Sequence, residues 1–598
     1  MTVAQRNLDL GVIGNCQIAL LLDEDATVVW GCLPRLDGDP VFHALLDSDH
    51  AEEAGGLYAV DLQGKVTSTQ QYLRNTAILE TVLADAAGNR LRVVDFCPRF
   101  RLRGRIYRPA TMVRLIEPLS GRPVVRLRVR PRFDYGARAP QVEPGSHHVA
   151  WRGSDAAFRI TTNASLNAIL QETPFVLDGP VALILGPDQR VEEPPLALAH
   201  TYLEETRDYW DEYVRSLAIP FEWQDAVIRA AISLKLCTYE DTGAVVAALT
   251  TSVPESPTSG RNWDYRYCWL RDAWFVIHAL NRLGQTRTME GYLRFIDRIS
   301  VCDGQAVGPL YSVTGEREIP ERVVSSLRGY RGMGPVRVGN RAWLQRQNDV
   351  YGAIVLASAH SFFDERLTNL GDEVQFAQLE RMGERALAVH DTPDAGPWEF
   401  RGFEQVHTFS AAMCWAGVDR LARIAQRLGL DERARYWLEA SARLRTHVLE
   451  HAWNPGIGAY SASYAGEHLD ATALLLPELG LVQATDPRFA STLAAIETGL
   501  KSGDWLYRYR HGDDFGRPET AFTICAFWYV NALALAGRTD EARDHFERLL
   551  ASRTRLGLLS EDVDPATGEW WGNFPQTYSL VGIINSAIRL SRPWEDVV

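Results

Sequence analysis

The stretch TAFTICAFWYVNALALAGRTDEARDHFERLL, residues 520–550, decides the fold class of the second half of this chain. Residues 520–536 are almost wholly apolar, whereas residues 540–550 alternate acidic and basic side chains around Phe546 and Leu549. A helix that is apolar on every side is buried, and a helix with one apolar stripe lies at the surface. The stretch therefore predicts an inner helix followed by an outer helix.

The same helical signal runs from about residue 222 to the end of the chain. Six pairs, each of an inner and an outer helix, would close into an (α/α)6 barrel, and the ends of the inner helices would supply a deep pocket. An open α-solenoid is the alternative, but it requires a sequence repeat that we do not find. The twelve predicted helices lie near residues 223–239, 270–283, 286–300, 344–363, 373–390, 407–428, 431–451, 468–476, 487–501, 519–536, 538–552 and 575–591.

The first 190 residues have a different pattern, with apolar side chains at every second position and many turns. Short strands without intervening helices predict an antiparallel β-sandwich. We therefore expect two domains: a β-sandwich at residues 1–195 and an (α/α)6-barrel domain at residues 222–598, joined by a linker helix at residues 196–221. The clearest strands are predicted at residues 18–22, 28–32, 80–84, 90–96, 112–116, 124–129, 158–162 and 181–185.

Composition restricts the partners of this 598-residue chain, whose formal net charge is −14. Nucleic acids and anionic membranes both bind clustered Lys and Arg, so an acidic protein is expected to bind neither. We find no run of about 18 apolar residues and no apolar core of a signal peptide, which predicts a cytoplasmic location. The eight cysteines form no CxxC pair, so we predict no metal site and no disulfide framework.

Residues 261–272, RNWDYRYCWLRD, place four aromatic rings among Arg and Asp side chains just before an apolar helical run. A pyranose ring stacks its C–H faces on aromatic rings and exchanges hydrogen bonds with Arg and carboxylate groups. The segment therefore favours a sugar site, with Tyr265 and Trp269 as candidate contacts. The alternative is a plain helix start, with Asp272 as its N-terminal acid and the rings simply buried.

Two further loops each offer a carboxylate away from a helix face: residues 396–402 hold one acid beside two aromatic rings, and residues 557–565 hold three acids. Hydrolysis of a glycosidic bond with inversion requires a carboxylic acid and a carboxylate about 6.5–9.5 Å apart. Glu399 and Glu561 are our candidates for the general acid and the general base, because Trp398 gives Glu399 apolar surroundings that favour its protonated form. Other acids in or near these loops remain alternatives: Glu404, Glu519, Asp562 and Asp564.

Five separated motifs resemble glycoside hydrolase family 15, which includes glucoamylases, glucodextranases and bacterial trehalases. The resemblance covers nearly the whole chain. In the family, the acid after Trp in the third-quarter loop is the catalytic acid, and the Glu of the Leu-Ser-Glu segment is the base, which corresponds here to Glu399 and Glu561. The motifs are residues 13–15 with 29–37, residues 261–272, residues 336–340 with 349–352, residues 398–399, and residues 560–561 with 572–576.

The resemblance also implies how a terminal glucose would be held. Arg271 and Asp272 are expected to bind its outer hydroxyls, and Tyr265 is expected to line the floor. Arg508 resembles a sugar-binding arginine of the family, although the neighbouring Arg510 competes for this role. Further substrate contacts are predicted at three aromatic side chains, of which the last two are equally well explained as barrel packing: Trp398, Trp343 and Tyr330.

A pocket that holds only the non-reducing end would make the enzyme exo-acting, and inversion would release β-glucose. We expect neither a starch-binding module nor a signal peptide, which favours small soluble α-glucosides: trehalose, maltose, isomaltose or short maltodextrins. No cofactor is needed for this chemistry. The alternatives are an inverting disaccharide phosphorylase, which would dispense with Glu561, and a non-catalytic sugar-binding protein, which would have lost Glu399 or Glu561. An oligomer formed through the exposed sheet is also possible.

Overall fold

The computed structural model describes residues 7–47, 55–302 and 307–596. Strands fill the chain up to Pro187, the long helix Pro195–Arg215 follows, and helices dominate from Gln224 onward. The fold is thus an antiparallel sheet domain followed by a helical domain, as predicted. The exact bounds 1–195, 196–221 and 222–598 stay a prediction, and their outer ends lie outside the described residues. Of the described helices, none has both the length and the apolarity needed to cross a membrane.

Two antiparallel sheets form the N-terminal domain. The first has seven strands, in the spatial order Gly11–Gly14, Ala19–Leu22, Val28–Leu33, Leu57–Leu62, Val124–Arg130 and Phe175–Val176, with Asp39–Phe42 paired beside Val28–Leu33. The second has eight, in the order Gln141–Pro144, His148–Arg152, Ala157–Thr162, Val181–Pro187, Met112–Ser120, Arg90–Phe96, Leu79–Asp85 and Lys65–Tyr72.

Alternating side chains give each sheet two buried faces. In the strand Arg90–Phe96, Leu91 and Val93 join the core between the two sheets, whereas Val94 and Phe96 face the opposite way. The helix Pro195–Arg215 covers that outer face with Leu198 and Ala199. The first sheet packs its own outer face on the helical domain, where the indole N–H of Trp30 donates to the carbonyl of Leu249 at 2.8 Å.

Six helical segments form an inner ring, in which each contacts the next and the last contacts the first. An outer helix precedes each inner one along the chain, so the ring is an (α/α)6 barrel. The inner segments are Leu270–Arg282, Asp349–Phe363, Thr408–Arg427, the 3-10 turn Ala471–Leu475 with Leu476–Leu479, Thr523–Leu535 and Thr577–Leu590. The outer helices are Gln224–Leu236, Thr286–Cys302, Glu373–Val389, Asp431–Ala452, Pro487–Gly499 and Thr539–Ala551.

The stretch 520–550 folds as predicted. Thr523–Leu535 is buried on every side over most of its length, and Thr539–Ala551 turns Phe546 and Leu549 inward. The predicted helix 344–363 begins only at Asp349, because residues 341–344 form a separate 3-10 turn. The predicted helix 468–476 is likewise interrupted, since Pro477 has no N–H to continue the preceding turn and occupies the first turn of a new helix.

A buried ion pair joins the sheet domain to the segment before the first inner helix. Arg266 and Asp264 are both fully buried, and the guanidinium donates to the two carboxylate oxygens at 2.9 and 2.8 Å. The same guanidinium donates to the carbonyl of Gly38 at 2.7 Å and to the hydroxyl of Tyr135 at 3.0 Å. Since all three of its nitrogens have partners, this cation ties two domains together without an unpaired buried charge.

Arg266→Met should leave Asp264 as a buried, unpaired charge. We expect the free energy of unfolding to fall by about 3–5 kcal/mol, measured from urea denaturation by tryptophan fluorescence. Arg122→Met is the matched control, because its ion pair with Asp178 is 76% and 71% exposed and should contribute less than about 1 kcal/mol. Equal denaturation midpoints for the two variants would show that the buried pair does not hold the domains together.

Candidate active site

A pocket of about 930 Å³, including its open mouth, lies at the end of the barrel where the inner helices begin. Its lining comes from the loops that lead into these helices, which is why residues far apart in sequence meet there. The lining is dense in aromatic and charged side chains and includes Glu255, Arg261, Trp263, Tyr265, Trp269, Arg271, Asp272, Gln345, Trp398, Glu399, Arg401, Arg508, Asp513, Phe522, Trp528 and Tyr578.

The segment ahead of the first inner helix is extended, and its side chains alternate between two environments. Arg261, Trp263 and Tyr265 line the pocket, whereas Asp264 and Arg266 point to the sheet domain and pair with each other. The mixture of rings and charges in residues 261–272 is therefore not a single sugar-facing set. The pair of Asp264 and Arg266 contacts the sheet domain, and only the side chains that line the pocket are available to a ligand.

Arg271 is the centre of the charged network at the bottom of the pocket. Its guanidinium donates to the amide oxygen of Gln347 at 2.8 Å and to a carboxylate oxygen of Asp349 at 3.0 Å. It also lies 3.6 Å from Asp272 and 3.5 Å from Glu399, measured between nitrogen and carboxylate oxygen. These groups come from three separate parts of the chain, so one buried cation sets their relative positions.

Asp272 is nearly buried, and one of its carboxylate oxygens has no hydrogen-bond partner among the described residues. Burial raises the pKa of Asp272 to about 7, and Glu399 and Asp349 add to this rise while Arg271 opposes it. A buried acceptor without a partner costs free energy unless a ligand supplies the donor. A sugar hydroxyl would be such a donor.

Glu399 stands on a strained turn, with a φ of +60°. Its Oε1 accepts from the indole N–H of Trp269 at 2.5 Å and from the amide of Gln347 at 3.0 Å. The neighbouring Trp398 turns its own N–H to Asp470 at 2.7 Å and packs its ring edge-on against Phe522. The strained backbone thus directs the carboxylate of Glu399 into the pocket while Trp398 anchors the turn.

Glu561 is fully buried and lies behind the lining rather than in it. Its Oε2 accepts from the backbone N–H of Asn573 at 2.9 Å, and its Oε1 has no hydrogen-bond partner among the described residues. Burial, followed by repulsion from Glu255, raises the pKa of Glu561 to about 8. Burial raises the pKa of the Tyr265 phenol, and the nearby charges of Glu561, Glu255 and Glu399 add to this rise.

Glu255 is a site residue that the sequence reasoning missed. It lines the pocket, is only 4% exposed, and accepts hydrogen bonds from Arg508 and from the indole N–H of Trp263. A signal was present, since Glu255 lies between two prolines in a loop just before the aromatic segment. The rule that selected Glu399 and Glu561, an acid in a loop rather than on a helix face, also applies to it.

Several sequence candidates lie outside the pocket lining. Trp343 packs in a small cluster with Tyr267 and Trp269, and Tyr330 is fully buried with its ring edge-on to Trp571. Arg510 is exposed, so Arg508 is the arginine that reaches the pocket. Of the alternative acids, Glu404 pairs with Arg346, Asp564 caps its own turn, and Glu519 is exposed. Asp562 is buried beside Glu561, and one of its oxygens accepts from Thr520 while the other has no hydrogen-bond partner among the described residues.

Comparison with known proteins identifies the family. The sequence pattern of glycosyl hydrolases family 15 matches residues 223–588, and that of the trehalase-like N-terminal domain matches residues 4–169. The chain belongs to glycosyl hydrolases family 15. It is therefore a glycoside hydrolase, and the resemblance found in the sequence motifs is confirmed.

Relatives of similar length align with nearly the whole chain. The chain is 31% identical to a trehalase of Thermoplasma volcanium, over 97% of this chain and 93% of that protein. It is also 31% identical to a trehalase of Mycobacterium tuberculosis, over 98% and 90%. A bacterial glucoamylase complexed with acarbose superimposes with a TM-score of 0.68 at 13% identity, over 98% of this chain and 94% of that chain, which shows a shared fold.

Trp269→Phe should keep the ring and remove the N–H that Glu399 accepts. A hydrogen bond to a charged group contributes about 1.5–3 kcal/mol, so kcat/KM should fall roughly 10- to 100-fold. Trp453→Phe is the matched control, because Trp453 packs against Tyr460 in a strand pair away from the pocket lining. A Trp269→Phe enzyme as active as Trp453→Phe would mean that this contact does not position Glu399.

Proposed function

We propose that this family 15 hydrolase is an inverting, exo-acting enzyme that releases β-glucose from small soluble α-glucosides, with trehalose as the favoured substrate. The observation that carries the proposal is the convergence of Arg271, Asp272 and Glu399 in one pocket, with Tyr265 near both Glu399 and Glu561. The relatives named trehalase support the substrate, since they align with almost the whole chain. The substrate partner would be a neutral disaccharide.

The bottom of the pocket supports exo action. Trp528 and Tyr578 line it, and Phe275 packs beneath both, with ring centroids 6.3 Å and 5.0 Å away. An aromatic floor leaves a sugar chain no room to continue past the first residue. In our proposal the terminal glucose rests on this floor, and Arg271 and Asp272 exchange hydrogen bonds with its outer hydroxyls.

In the proposed reaction, Glu399 is the general acid and Glu561 the general base. Glu399 donates its proton to the glycosidic oxygen as the bond from that oxygen to the anomeric carbon breaks. Glu561 takes a proton from a water molecule whose oxygen attacks the anomeric carbon from the opposite face. One water is consumed, the proton lost by Glu399 is replaced by the one that Glu561 gains, and the configuration at the attacked carbon inverts.

In the substrate-free protein, the protonation state of Glu561 differs from the one that a general base requires. With a pKa of about 8, Glu561 carries a proton at neutral pH in the substrate-free protein, whereas a base must be ionised. Glu399 accepts hydrogen bonds from the indole N–H of Trp269 and from the amide of Gln347. The raised pKa of Glu561 therefore favours a second candidate assignment, in which Glu561 is the general acid and Glu399 the general base.

The pH profile of kcat/KM distinguishes the two assignments. If Glu561 is the base, activity requires its ionised form, so kcat/KM should fall as the pH drops below about 8. If Glu561 is the acid, kcat/KM should instead fall as the pH rises above about 8. Glu561→Gln should abolish the corresponding limb and, like Glu399→Gln, lower kcat by about 10²- to 10⁴-fold. Normal activity of either variant would remove that residue from catalysis.

The substrate is tested by proton NMR in phosphate-free buffer with trehalose, maltose, isomaltose and maltotetraose in parallel. We expect rapid cleavage of trehalose, with α- and β-glucose appearing together, because one residue is inverted and the other is released with its configuration kept. Early β-glucose from maltose, isomaltose or maltotetraose would indicate a glucoamylase-type enzyme instead. Formation of glucose 1-phosphate after phosphate is added would indicate a phosphorylase and contradict hydrolysis.

A further inference from the structure

A second cluster of reactive side chains lies on the outer layer of the barrel. His390 and Asp391 follow the outer helix Glu373–Val389, and His447 belongs to the next outer helix, Asp431–Ala452. One potential ligand atom of each residue lies within 4.8 Å of the other two. A single ion with metal–ligand distances of about 2.0–2.2 Å can bridge three atoms at such separations after small side-chain rotations.

Both imidazoles have a ring nitrogen suited to a metal. In His390, Nδ1 lies 2.9 Å from the carbonyl oxygen of Leu387, so it acts as the N–H donor and leaves the lone pair on Nε2. In metal sites this second hydrogen bond commonly fixes the tautomer and the ring orientation. In His447, Nε2 is buried and has no hydrogen-bond partner among the described residues.

The surroundings favour an ion at this position. The hydroxyl of Tyr464 is also buried without a hydrogen-bond partner among the described residues, and its ring centroid lies 5.8 Å from that of His447. Two unpartnered polar atoms on adjacent side chains are unusual unless a further group satisfies them.

We propose that His390, Asp391 and His447 bind one divalent transition-metal ion of the Zn²⁺ type, with water completing the coordination. Two imidazole ligands exclude a preference for Mg²⁺ or Ca²⁺, which choose oxygen donors. The site differs from the sugar pocket in place and in chemistry. It also revises the sequence-based prediction of no metal site. That prediction rests on the spacing of the cysteines, whereas this site is built from histidines of neighbouring helices.

Such an ion would connect two outer helices to the loop that carries Glu399. Asn348 already binds that region from inside, since its amide donates to the carbonyls of Val389 and Thr392 at 3.0 Å each. Asp394, a few residues further on, accepts from the backbone N–H of Asn348 at 2.7 Å. A metal on the outer side would fix the same segment from the opposite direction, so we infer a structural role for the ion.

The test uses the full chain after treatment with EDTA and dialysis. Titration with Co²⁺ should develop visible d–d absorption bands that saturate at one ion per chain, and calorimetric titration with Zn²⁺ should give the same stoichiometry. Zn²⁺ should also raise the unfolding temperature. His390→Gln and His447→Gln should each weaken binding by at least tenfold and remove the thermal shift, because each removes one of three protein ligands.

His200→Gln is the matched control, because His200 lies in the helix Pro195–Arg215, outside the cluster, and should leave binding unchanged. Circular dichroism checks that each variant is folded, and Asp391→Asn, at an exposed position, provides a further ligand variant. The absence of stoichiometric binding would overturn the proposal. Binding of equal strength in the His390, His447 and His200 variants would do so as well, since the ion would then be bound at other surface groups.

Discussion

The buried guanidinium of Arg271 is the constraint on which the rest of the site depends. A cation cannot lie in the barrel interior unless carboxylates and amide oxygens surround it, so Asp272, Asp349, Gln347 and Glu399 must converge on it. Each of these partners lies in or next to a loop that leads into an inner helix. The closed ring of helices therefore orders the loops, and the shared cation orders the carboxylates within them.

The sheet domain has a part in this arrangement although the described pocket lining contains none of its residues. The buried pair of Asp264 and Arg266 faces the sandwich and reaches Gly38 and Tyr135, which fixes the extended segment whose alternate side chains form a wall of the pocket. Without this anchor, the aromatic side chains of the segment would become ordered only when a sugar binds, and the lost conformational entropy would weaken binding. The sheet domain thus supports the pocket, and the helical domain supplies the residues that line it.

Charge distribution in the pocket links structure to reactivity. Burial raises the pKa of both Glu561 and Asp562, the nearby charge of Glu255 adds to both rises, and Arg508 opposes them only in part. Acids that share a poorly solvated space separate into protonated and ionised members. Entry of a sugar and a water molecule would change both the solvation and the hydrogen bonding of these acids, and with them their proton affinities.

The sequence by itself determined the two-domain fold, the alternation of inner and outer helices, and the segments in which Glu399, Glu561 and Arg271 lie, because periodicity and motif spacing are local along the chain. It did not determine that Asp264 and Arg266 turn away from the pocket, that Glu255 turns into it, or that Trp343 packs outside its lining. The sequence also did not predict the cluster of His390, Asp391 and His447, since its members come from two different helical segments. Only the tertiary structure decided these points, because side-chain orientation, burial and proton affinity depend on contacts between residues that are distant in sequence.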